Sequence, residues 1–139
     1  MNLLNLENTN MNKEFIPYEQ ALELKELGFN ESCFFIYSRD GNALNRLDEP
    51  QNSQELYERT IQPNTYVVAP LYQQAFRWFR EKYNLASYIE AVKIAYEDGY
   101  LYKPEIPKSD VFFEKYINSY EEAELACLKK LIEIVSSKK

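Results

Sequence analysis

Apolar positions recur with two different periods along this chain, and the changes of period mark out its elements. From Pro17 the pattern is helical. Ala21, Leu24 and Leu27 share one face, Pro17 suits the first helical position, and Gly28 stands where a left-handed cap would end the helix. Residues 32–38 (SCFFIYS) are aromatic and apolar, and Asp40-Gly41 follows as a hairpin turn signal leading into a short strand over residues 43–47. Residues 48–64 carry Pro50, Asn52, Ser53, Pro63 and several Gln, which predicts a long surface loop with room for one turn of helix. Thr65 to Ala69 reads as a short strand, after which Pro70 opens the clearest helix, LYQQAFRWFREKYN. In it Tyr72, Phe76, Phe79 and Tyr83 recur at offsets of four, three and four, so they predict one buried aromatic stripe.

The second half repeats these themes. Residues 86–96 read as a strand, Asp98-Gly99 as a hairpin turn and residues 100–103 as the partner strand. Pro104 and Pro107 interrupt the ladder and favour an edge. Residues 111–117 predict a further strand that is open to being partly loop. Ser119 and Glu122 form an S-x-x-E capping box that starts the last helix, running to about Val135. The expected fold class is therefore α+β, with three helices packed on a small antiparallel sheet in the order α-ββ-α-ββ(β)-α. Residues 1–12 (MNLLNLENTNMN) read as a flexible arm in which Met11 is an alternative start, residues 13–136 as a single domain, and residues 137–139 as a tail. The helix starts Tyr18-Glu-Gln-Ala21, Tyr72-Gln-Gln-Ala75 and Tyr120-Glu-Glu-Ala123 echo one another. A duplicated αββ unit would explain the echo, and shared helix-start chemistry explains it more simply.

Composition narrows the chemistry. A chain of 139 residues is about one domain and buries roughly two thirds of its unfolded surface. The 12 Tyr and 8 Phe favour a well-packed core and a surface suited to contact. The net charge of −6 repels phosphate backbones on average, so bulk nucleic-acid binding is disfavoured. With no His, the commonest general base and metal ligand is missing, along with every imidazole-based triad. Cys33 and Cys127 lie far apart without C-x-x-C spacing, so neither a zinc site nor a dithiol motif is readable. All three glycines have structural places, which leaves none for a phosphate-cradling loop. No run approaches the ~20 apolar residues of a membrane span. These features predict a cytoplasmic protein with reduced thiols, no cofactor and no metal.

Several constellations remain, each with two readings. With the aromatic stripe of the second helix turned inward, Arg77 and Arg80 fall on the far side and Trp78 on a flank. Arg77, Trp78, Arg80 and Lys82 then make an interface anchor, or a stacking platform for single-stranded RNA, unless Trp78 packs beside Leu71 and Ala75 in the core. In the last helix Tyr120, Ala123, Cys127, Leu131 and Ile134 form a core face that Leu128, Ile132 and Val135 widen. Glu124 falls inside it, where a carboxylate needs a partner; a structural role outweighs acid–base chemistry or metal binding there. Glu19, Glu23 and Glu26 on the first helix, and Glu121, Glu122 and Glu124 on the last, complement helix dipoles or form a patch that imitates phosphates.

The segments APLYQQAFRWFREKYN (69–84), YEEAELACLKKLIEIV (120–135) and FIPYEQALELKELGF (15–29) resemble a family of short, mostly uncharacterised phage and prophage proteins. The resemblance covers nearly the whole chain beyond residue 14 and carries no catalytic residues. Residues 1–12 and 48–64 depart from the family pattern. It implies an accessory gene of a mobile element, a setting in which small acidic proteins that disarm host defence nucleases are common. The expected function is non-enzymatic: an anti-defence inhibitor of the anti-CRISPR type, docking on a host RNA-guided nuclease or its ribonucleoprotein in the infected cell. An RNA-binding accessory protein and a phage structural or assembly protein are the alternatives. The working surface is expected on the exposed side of the second helix together with residues 48–64.

Overall fold

Pro17 holds φ at −64° and ψ at 159°, and its carbonyl accepts the first helical bond, from Ala21 N at 2.9 Å. It is therefore the residue before α1 (Tyr18–Glu26), one position earlier than the pattern predicts. The computed structural model describes residues 13–38, 41, 43–59, 66–95, 98–110, 113 and 115–138. The predicted arm at residues 1–12, Asp40 of the first turn, Thr65, and Lys139 of the tail lie outside the described residues. The chain divides into two compact units, Met1–Tyr72 and Gln73–Lys139.

In the first unit, α1 ends as expected at Gly28, whose φ of +97° is the left-handed conformation. Phe29 N returns to the Leu24 carbonyl at 2.9 Å and Gly28 N to Lys25 at 3.1 Å, and the side chains of Leu24 and Phe29 are both buried. The helix is followed by β1 (Cys33–Tyr37) and β2 (Leu44–Gln51), an antiparallel hairpin, and a third short strand, β3 (Val67–Val68), gives the sheet order β2-β1-β3. Residues 67–71 run between β1 and the segment before α1: Ala69 N donates to Phe35 O at 2.8 Å, Ile16 N donates to Pro70 O at 3.1 Å, and Phe15 bridges Leu71.

The predicted loop at residues 48–64 is corrected here. β2 runs on to Gln51, and α2 (Ser53–Arg59) follows it; residues 60–64 lie outside the described residues. Register explains the strand. Phe35 pairs Arg46, yet Cys33 pairs Gln51, so the stretch from Leu47 to Pro50 bulges out of the ladder and Gln51 re-enters it. Pro50, which has no N–H to give, sits in that bulge. Capping explains the helix. Glu55 N donates to Asn52 Oδ1 at 2.8 Å and Asn52 N donates back to Glu55 Oε1 at 3.3 Å, a reciprocal box that starts α2 and lets it bury Leu56.

The second unit continues α3 (Tyr72–Tyr83), then β4 (Tyr88–Lys93), β5 (Tyr100–Glu105) and α4 (Tyr120–Ser136). Asn84, at φ +56°, ends α3, and Leu85 N reaches back to Phe79 O at 3.2 Å. The strands pair as a hairpin, as expected, but Lys93 faces Tyr100 and Ile94 N donates to Gly99 O at 3.4 Å, so Gly99 belongs to the paired arm and not to a two-residue turn; residues 96 and 97 lie outside the described residues, and α4 packs on both strands. Ser119 caps α4 as expected, its hydroxyl oxygen accepting from Glu122 N at 3.1 Å. Of the strand expected over residues 111–117, residues 111, 112 and 114 lie outside the described residues. Ile117 makes an isolated bridge, exchanging hydrogen bonds of 2.8 and 2.7 Å with Tyr102.

The class is α+β, as expected, but the described residues hold four helices rather than three, and two antiparallel sheets of three and two strands rather than one. The fourth helix is α2. No helix among them is long and apolar enough to cross a membrane.

Candidate functional site

The exposed charges of α3 separate by helical phase. At 3.6 residues per turn, Tyr72, Ala75, Trp78 and Phe79 fall on one side, and all four are buried. Phe76 and Tyr83, expected in the same stripe, are half-buried at its margin. The stripe is thus rotated towards Ala75 and Trp78, because burial follows the neighbours of the helix and not the size of its residues. Trp78 is 6% exposed, with its ring edge-on to Phe79 at 5.0 Å and to Tyr83 at 5.3 Å between centroids.

Arg77 and Arg80 lie on the opposite side of α3 and are exposed. Lys82 is exposed too, but phase puts it on the Trp78 side. Its Nζ lies 5.1 Å from the Trp78 ring centroid and 5.6 Å from that of Tyr83, so the ammonium covers the end of the aromatic stripe while staying in water. The four residues grouped by sequence as one anchor therefore divide: Arg77 and Arg80 face outward together, while Trp78 and Lys82 belong to the other side. With the indole buried, the outer side of α3 carries the exposed Arg77 and Arg80, flanked by the exposed Gln73 and Glu81.

On α1, Glu19, Glu23 and Glu26 share one helix face and all are exposed. Glu23 Oε1 accepts from the Gln20 amide at 3.3 Å. Glu19 stands in the first turn and Lys25 in the last, the arrangement that suits the helix dipole. In α4 the carboxylates split: Glu121 and Glu122 are exposed, whereas Glu124 is 8% exposed and has no place in a surface patch.

Both thiols are buried. Burial pushes the Cys127 thiol up from its ordinary 9.0 to about 11; a hydrogen bond with Ser87 holds it down in part, and the charge of Glu124 adds to the rise. A thiol held protonated in this way is a poor nucleophile near neutrality. Among the described residues no three His, Cys, Asp or Glu side chains gather as a metal site would require. Sequence reasoning passed over the open end of the β1–β2 hairpin. There Gln51 Oε1 and Ser53 Oγ are buried without a hydrogen-bond partner among the described residues, near the Cys33–Gln51 pair.

Comparison of the chain with protein-family models, with curated proteins and with solved structures finds no match in any of the three.

Proposed function

We propose that this chain is a non-enzymatic binding protein of a phage or prophage, an anti-defence inhibitor of the anti-CRISPR type that docks on a host RNA-guided nuclease in the cytoplasm of the infected cell. One observation carries the reading: the charges meant for a partner are exposed on single helix faces, Arg77 and Arg80 on α3 and Glu19, Glu23 and Glu26 on α1, while both thiols and Glu124 are buried. Exposed guanidinium groups are frequent interface anchors, and a row of carboxylates matches the basic channel in which a nuclease holds its nucleic acid. The resemblance of the three helical segments to phage and prophage accessory proteins supplies the setting.

The experiment is capture from host lysate joined to a protection assay. A tagged chain is expected to retain a nuclease or its ribonucleoprotein, and its expression is expected to protect a targeted plasmid or phage. Recovery of no effector together with no protection would overturn the proposal. Salt-sensitive retention on labelled RNA, lost in Arg77→Ala and Arg80→Ala, would replace it with an RNA-binding role. The burial of Trp78 weighs against that alternative, because a stacking platform needs an exposed ring.

A further inference from the structure

We draw no further inference here: the strongest candidate, the pair of buried oxygen atoms Gln51 Oε1 and Ser53 Oγ at the open end of the β1–β2 hairpin, carries nothing, because two neutral acceptors that one buried water satisfies do not select a cation or any other ligand.

Discussion

The Tyr37 hydroxyl donates to the Ile16 carbonyl oxygen at 2.6 Å, tying the end of β1 to the segment that leads into α1. Both residues are buried, and the Tyr37 ring also stands edge-on to Tyr18 at 5.7 Å. Tyr37→Phe keeps the ring contact and leaves a buried carbonyl without its donor. The expected loss is about 1–3 kcal/mol, read from urea unfolding. A loss within error of zero would show that the Ile16 carbonyl finds another donor.

Stability is expected to fall in alkali. Burial pushes the Tyr37 hydroxyl from its ordinary 10.0 up to about 12, and the Cys127 thiol from 9.0 to about 11. Between those values the unfolded chain gives up protons that the folded chain keeps, so both contributions are whole below pH 9.0 and are lost as pH rises through about 11 and about 12. Urea midpoints measured across this window should decline, and less steeply in Tyr37→Phe and Cys127→Ala. Equal slopes in all three proteins would contradict this.

Gly41 stands against Tyr18. Its φ is +73°, and a Cβ added there would lie 2.5 Å from Tyr18 Cδ1. Gly41→Ala therefore meets both backbone strain and a clash with a ring that is itself packed on Tyr37, and is expected to lower stability by more than about 1 kcal/mol. Thermal melts of the variant beside Gly41→Ala/Tyr18→Ala separate the two causes, since only the clash is relieved in the double variant.

Gln51→Met replaces a buried amide oxygen that has no hydrogen-bond partner among the described residues with an apolar side chain of similar length. The expected outcome is neutral, or a gain of up to about 1 kcal/mol. A clear loss in chemical denaturation would show that the amide is held by a contact that methionine cannot replace.

Reversing Arg77 and Arg80 to Glu is expected to abolish target capture and protection while moving stability by less than about 0.5 kcal/mol, because both side chains are exposed. Glu19→Lys, Glu23→Lys and Glu26→Lys test the acidic face in the same assays. If only the α1 changes destroy activity in folded protein, the phosphate-like face of α1 is the working surface and the α3 assignment is wrong.

Local chemistry made much of this fold readable. Gly28 and Ser119 mark helix ends through hydrogen bonds made within a few residues, and Asp98-Gly99 signals a hairpin between strands that are neighbours in sequence, although Gly99 itself pairs with Ile94. The helix α2 was also written locally, in the Asn52 and Glu55 box, but Pro50, Pro63 and the polar run around it pointed to a loop. Its buried anchor, Leu56, gives too little apolar periodicity to outweigh them.

What the sequence determined by itself was therefore where the chain turns, caps and alternates, since those signals act over one turn of helix or one hairpin. Tertiary structure alone decided that Trp78 is interior and Phe76 marginal, that Lys82 parts from Arg77 and Arg80, that β2 resumes its ladder at Gln51, and that Ile117 bridges β5 at Tyr102. The reason is physical: burial and strand pairing depend on what stands opposite a residue, and for these residues the opposing groups come from elements that no local spacing specifies.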